Sequence, residues 1–208
     1  MEWLFLIIVL IFSVVIHEVS HGMMANFLGD PTAKEAGRLT LNPLKHLDPL
    51  GSVILPFFLI LIKEITNTGI IFGWAKPVPV NPYNFRNRKC DSAKVALAGP
   101  VANLVLASFF GLSLRFLPFF QAFSGLYLMF SFIVYLNILL AIFNLLPIPP
   151  LDGSYLLFAL LPAEAEGIQM FLNQFGLFIL FFIIFFYFNK IIWLLGHIYT
   201  FIVGIPPF

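Results

Sequence analysis

The chain has 208 residues, of which 61% are hydrophobic and only 10% charged, with a formal net charge of +1. Ordinary soluble domains carry about 25% charged residues, so a water-soluble globule is excluded and an integral membrane protein is expected. The near-zero balance supplies no global field for nucleic acid, and a single cysteine, Cys90, rules out an internal disulfide.

The first apolar run, residues 3–27, is long enough at about 1.5 Å per residue to cross a bilayer as a helix. Glu2 stands where a signal peptide would carry Lys or Arg, and no small-x-small cleavage site follows, so the run is expected to be a retained span. Inside it lies His17-Glu18-Val19-Ser20-His21. One helical turn separates the two histidines, so both imidazoles can face one metal ion while Glu18 reaches a water bound to it. The competing reading is polar side chains hydrogen-bonded inside a helix bundle. A charged residue at the bilayer centre costs about 2.5 to 3.5 kcal/mol, and three ionisable groups in one turn make that reading expensive without a metal.

Gly29-Asp30-Pro31 ends the first helix with turn chemistry. The polar connector that follows, residues 30–48, contains Lys34, Arg38 and Lys45, and residues 38–41 alternate like a short strand. His46-Leu47-Asp48-Pro49 reads as a turn into a helix, with Asp48 as cap. Residues 49–72 are apolar but broken, the piece 52–62 being only about half a span, and with basic connectors on both sides they are expected to enter and leave on one face as a re-entrant or interfacial hairpin. Prolines 77, 79 and 82 forbid a helix and a central strand, so residues 73–82 are expected to be an extended edge. Gly73, Trp74, Val78 and Val80 are the candidates there for pairing with an unwound substrate strand. The connector with Arg86, Arg88, Lys89 and Lys94, like that with Lys34 to Lys45, belongs on the cytoplasmic side by the positive-inside rule.

Two clear spans follow at residues 92–117 and 123–146. Small residues around Gly99-Pro100 allow a neighbouring helix close approach, and Asn103 can hydrogen-bond across that interface. Prolines 147, 149 and 150 break the chain at membrane depth, where irregular backbone is tolerated only if it is buried in protein or lines a cavity. Residues 147–161 carry Asp152-Gly153 and a short helix. A fourth span, residues 168–188, is followed by Asn189-Lys190 and a shorter apolar tail, 191–203, so that residues 167–204 hold the C-terminal spans. The fold class is therefore an all-α polytopic membrane protein of about four to six transmembrane helices, forming a single domain over residues 1–208 with an irregular region at 28–91.

A catalytic zinc usually takes three protein ligands, and His17 and His21 supply two. Asp152 is the candidate third, since it is the only acid between Asp91 and Glu164 and needs a positive partner in an apolar setting. A helix cap is its alternative role. His46, Asp48 and His197 are lesser candidates for ligation.

Taken together, the motifs resemble the site-2 protease family, the intramembrane zinc metalloproteases of peptidase family M50. The resemblance rests on His17-Glu18-xx-His21, on Gly99-Pro100-xx-Asn103, and on Asn144-xx-Pro147-x-Pro149-x-Leu151-Asp152-Gly153, in that order on membrane segments. It covers residues 11–160 and fits the short prokaryotic members that have no PDZ or CBS domain. It implies one catalytic Zn2+ on His17, His21 and Asp152, with Glu18 as the general base and later the proton donor to the leaving amine. Asn144 and Asn103 are its candidates for holding substrate backbone or the oxyanion; a helix-terminus hydrogen bond is the alternative for Asn144. A transmembrane protein is the implied substrate, in the cell membrane, with the lipid bilayer as surroundings and the active site toward the cytoplasm. A metal transporter and a proteolytically inactive scaffold of the same fold are the competing classes. The first should repeat ligands along a pathway, and the second should lack the base or a ligand; neither feature is present in the sequence.

Overall fold

A computed structural model describes residues 2–48, 76–117 and 123–205. Six helices organise them: α1 (Glu2–Phe27), α2 (Thr32–Glu35), α3 (Arg88–Phe116), α4 (Ser124–Asn144), α5 (Gly153–Leu160) and α6 (Glu166–Val203). Four are long and apolar enough to cross a membrane: Leu4–Phe27 within α1, then α3, α4 and α6. The protein is thus a polytopic, all-helical membrane protein, and no strand occurs among the described residues. The alternation at 38–41 does not become a strand, because Arg38 turns inward instead of pairing along an edge.

Each helix end has a local cause. Gly29 takes φ 102°, and the N–H groups of Gly29 and Asp30 return to the carbonyls of Asn26 and Ala25, satisfying the last turn of α1. The side chain of Asn87 caps α3 by accepting from the Cys90 N–H, which starts the helix at Arg88, within the basic cluster and not after it. Pro100 lies inside α3, as membrane helices tolerate where neighbouring helices pack around the break.

The helix α3 is central and packs against α1, α4, α5 and α6. Ala107 and Leu114 of α3 meet Val134 and Ile138 of α4 and Leu195, Tyr199 and Val203 of α6 in the main core. Tyr199 buries its hydroxyl there and donates to Ser131 Oγ at 2.8 Å. Much of the remaining apolar surface points outward, as with Phe178, Phe185 and Phe201, which suits lipid as the solvent.

The C-terminal region differs from expectation. No break occurs at Asn189-Lys190: α6 is one helix of 38 residues. Neither residue lacks an N–H or demands a non-helical backbone, and Lys190 places its ammonium over the Tyr187 ring at 5.1 Å. Polarity alone was a poor boundary signal; Gly204, at φ 91°, is where the helix stops. The hairpin expected at 49–72, with Gly73 and Trp74, lies outside the described residues.

Candidate metal centre

His17 and His21 project from α1 toward α3, their rings edge to face with centroids 4.6 Å apart. They fit because α3 presents Gly99 beneath them: a Cβ there would stand 2.6 Å from His17 Nε2 and 2.5 Å from His21 Nε2. Each ring is fixed through its other nitrogen. His21 Nδ1–H donates to the Val95 carbonyl at 2.7 Å, and His17 Nδ1–H donates to Asn103 Oδ1 at 2.9 Å. With both protons on Nδ1, both Nε2 lone pairs face the same space.

Asp152 enters that space from the turn before α5. Its Oδ2 lies 3.1 Å from His17 Nε2 and 3.2 Å from His21 Nε2. It makes no side-chain cap hydrogen bond to α5, so the cap role is not the one it adopts. The turn is held in place by close packing, since a Cβ on Gly153 would stand 2.3 Å from the Leu145 carbonyl oxygen. Among the described residues, His17, His21 and Asp152 are the group of three whose ligand atoms converge, all within 4.8 Å of one another. Bonds of about 2.0 to 2.1 Å in a tetrahedron put ligand atoms about 3.3 Å apart, close to the carboxylate–imidazole separations seen, so the residues fit zinc.

Glu18 points to a different neighbour. Its Oε2 accepts from the Val78 N–H at 2.8 Å, in the extended segment 76–81 that crosses α1. Gly22 leaves room for that crossing, because a Cβ there would meet Leu39 Cδ2 at 2.6 Å and Val78 Cγ1 at 2.9 Å. Two charged residues clamp the segment. The buried Arg38 guanidinium donates to the carbonyls of Lys76 and Pro77 at 3.0 and 3.1 Å, and also to that of Lys45. Asp30, also buried, accepts from the Asn81 N–H and the Asn84 amide, both at 2.7 Å, and from Thr32. Burial pushes the Asp30 carboxyl up, but these hydrogen bonds outweigh it and hold it below the usual carboxylate range.

The expected site residues therefore separate into groups. Asn103 is not aimed at substrate: it is fully buried, with its oxygen committed to His17 and its nitrogen to Asn137 Oδ1, 3.1 Å away. It is a hydrogen bond across the helix interface, and an oxyanion role is corrected by that commitment. Asn144 donates to the Leu140 carbonyl at 3.0 Å, the helix-terminus bond, which uses one of its two amide hydrogens. Val78 spends its N–H on Glu18, so it is not open to an added strand in this conformation. Of the N–H groups from Lys76 to Asn81, only that of Val80 makes no hydrogen bond among the described residues. His46 bonds the Thr40 carbonyl and His197 the Trp193 carbonyl, and neither joins the cluster. Arg38, Asp30 and Asn137 were not singled out by sequence. The only signal for Arg38 was a cation on a segment with strand-like alternation, and for Asn137 an amide in an otherwise apolar span.

The family model described as Peptidase family M50 matches residues 64–183. The Bacillus subtilis (strain 168) protein named "Putative zinc metalloprotease YwhC" is 42% identical over 187 residues, covering 87% of this chain and 80% of that protein. The chain belongs to peptidase family M50. Another relative, Rip2 of Mycolicibacterium smegmatis, carries the same descriptive name and is 38% identical over 145 residues, which are 68% of this chain and 51% of that protein. A third with that description, MJ0611 of Methanocaldococcus jannaschii, is 47% identical over 91 residues, 42% of this chain and 46% of the relative. No solved structure matches the chain at a significant level. M50 membership sets the chemistry at family level, a zinc metalloprotease on membrane-spanning helices, and the His17, His21 and Asp152 donor set suits it.

Proposed function

We propose that this M50 member is an intramembrane endopeptidase that uses one zinc ion to hydrolyse peptide bonds within or near the transmembrane segments of membrane proteins. The observation that carries the reading is the convergence of Asp152 Oδ2 on the two Nε2 atoms, 3.1 and 3.2 Å away, one residue from a carboxylate that takes no part in the cluster. Zinc bound by these three residues would supply a Lewis acid that makes water acidic near neutral pH and polarises a peptide carbonyl. His17 and His21 would hold it through Nε2, and Asp152 through a carboxylate oxygen. Glu18 takes the proton of the attacking water on its carboxylate and returns it to the leaving amine. The Val78 N–H orients Glu18 without occupying both of its oxygens. The free amide hydrogen of Asn144 is available to substrate backbone, and the Val80 N–H is the donor on segment 76–81 that an unwound substrate strand would find.

The test is cleavage of a panel of single-span peptides by the purified protein, read by mass spectrometry with and without a chelator. Chelator-sensitive cleavage inside the apolar stretch is expected. Cleavage that survives full removal of metal, or none in any lipid or detergent, would sink the reading. A metal transporter would instead load vesicles with zinc even as Glu18→Gln, and a scaffold would cleave nothing. The cell membrane is the proposed location, with the site toward the cytoplasm. Cys90 is exposed and reports this directly: an impermeant thiol reagent should label it from the cytoplasmic face, as it should a cysteine placed at Lys45. Labelling of the two from opposite faces would mean that residues 49–72 cross the bilayer.

A further inference from the structure

Behind His17 runs a line of buried polar side chains that the chemistry above does not use. His17 Nδ1 bonds Asn103 Oδ1 at 2.9 Å, Asn103 Nδ2 donates to Asn137 Oδ1 at 3.1 Å, and Asn137 Nδ2 donates to Ser13 Oγ at 3.0 Å and to the Ile133 carbonyl at 2.9 Å. The line leaves α1 at His17, passes through α3 and α4, and returns to α1 one turn earlier at Ser13. Ser13 is 4% exposed and both asparagines 0%, so water does not complete these bonds.

A carboxamide can present either end, and the choice matters here. If Asn103 turned its NH2 toward His17, the ring would have to accept at Nδ1 and carry its proton on Nε2, the atom that must be bare to bind a metal. Asn103 does not choose alone, because its NH2 is engaged by Asn137 Oδ1. Ser13 does not set the direction either, since a hydroxyl can donate or accept. The Ile133 carbonyl can only accept. It therefore fixes Asn137 with NH2 toward its own helix and oxygen toward Asn103, which in turn fixes Asn103 with oxygen toward His17. We infer that Asn137 is a positioning residue of the metal centre: anchored on the Ile133 carbonyl, it sets the tautomer of His17 through Asn103 and so keeps Nε2 free for the metal. This rests on reading His17, His21 and Asp152 as a zinc site.

The experiment measures zinc affinity by competition with a chromophoric chelator, together with the imidazole 15N–1H spectrum of the zinc-loaded, histidine-labelled protein. Parent protein should show a His17 resonance with the proton on Nδ1. Asn137→Leu should bind zinc ~10- to 100-fold more weakly, the range for loss of a partner behind a ligand. Asn137→Asp offers the Asn103 NH2 an oxygen whichever way the carboxyl turns, and in this buried place its protonated form replaces the NH2 as donor to the Ile133 carbonyl, so it should retain the Nδ1–H resonance and most of the affinity. Circular dichroism and the thermal midpoint report on folding. Unchanged affinity in folded Asn137→Leu, or an Asp variant as weak as the Leu variant, would overturn the inference while leaving the zinc site standing. Should Asn137→Leu not fold, the parent spectrum and the Asp variant decide: a zinc-loaded His17 protonated on Nε2 defeats the proposal. A parent that binds no zinc defeats the metal-site reading and this inference with it.

Discussion

His17 and His21 are seated against α3, where a glycine makes room for the rings and a backbone carbonyl and a buried amide fix their Nδ1 protons. Glu18, on the same turn of α1, is held by the N–H of an extended segment that two charged residues pin at its ends. The ligand side depends on helix packing inside the span, where close approach and satisfied polar groups leave little room to adjust. The base side depends instead on an extended segment that crosses α1 at Glu18 and Gly22 and is held through Arg38 and Asp30 of the preceding connector. Damage on the first side should show as lost metal, and damage on the second as lost turnover with metal retained.

The largest expected separation comes from Glu18→Gln against Asp152→Asn. The first keeps shape and should keep zinc, while turnover falls by about 10² to 10⁴, the usual range for losing a general acid–base group. The second should lose zinc content and activity together. Metal analysis and a cleavage assay on the same preparations read both, and full zinc in Asp152→Asn would remove it from the ligand set. Gly99→Ala belongs with Asp152→Asn: a methyl 2.5 to 2.6 Å from both Nε2 atoms must displace them, so zinc content should drop although no ligand has been changed.

That contrast follows what was legible in the sequence. The four spans announced themselves by length and apolarity, and the histidines by a spacing that matches the helical turn. Asp152 was found because an acid in an apolar setting is rare enough to need a reason. The supports were hidden, because their worth comes from contacts distant along the chain: Asn137 lies 34 residues from Asn103, and Lys76 lies 38 residues from Arg38. In sequence Arg38 is one cation in a basic connector, and the positive-inside rule accounts for it without a clamp. The misread break at Asn189-Lys190 is the converse, a local polar signal that the helix hydrogen-bond ladder overrides.

A smaller effect, confined to the base side, is expected from Arg38. Arg38→Lys keeps the charge but replaces a planar fork with a single ammonium, which cannot reach three carbonyls in the same arrangement. Segment 76–78 should shift and take the Val78 N–H off Glu18. Since a misplacement of about 1 Å can cost ~10²-fold in rate, a loss on the order of 10- to 10²-fold in turnover is expected, with zinc affinity unchanged. Loss of zinc in proportion to activity would show that the two sides of α1 are not separable, and the comparison would fail.

The smallest effect concerns the far end of the same segment and depends on pH. Hydrogen bonds to the ionised Asp30 outweigh its burial and place its folded-state pKa below the unfolded value of about 3.9. A carboxylate with a lowered folded-state pKa contributes stability that is fully present above the unfolded pKa. That contribution is lost as pH falls through the folded-state value. Asp30→Asn cannot accept with two charged oxygens, so at pH 7 it should loosen segment 76–85, read as faster proteolysis of that stretch and a lower thermal midpoint. As pH drops below the unfolded value of about 3.9 the gap between parent and variant should narrow, and it should close once pH has fallen through the lower folded-state value, where Asp30 in the parent protonates. A gap that stays constant down to the acid limit would mean that Asp30 acts through shape alone, and that its charge does not help hold the segment across α1.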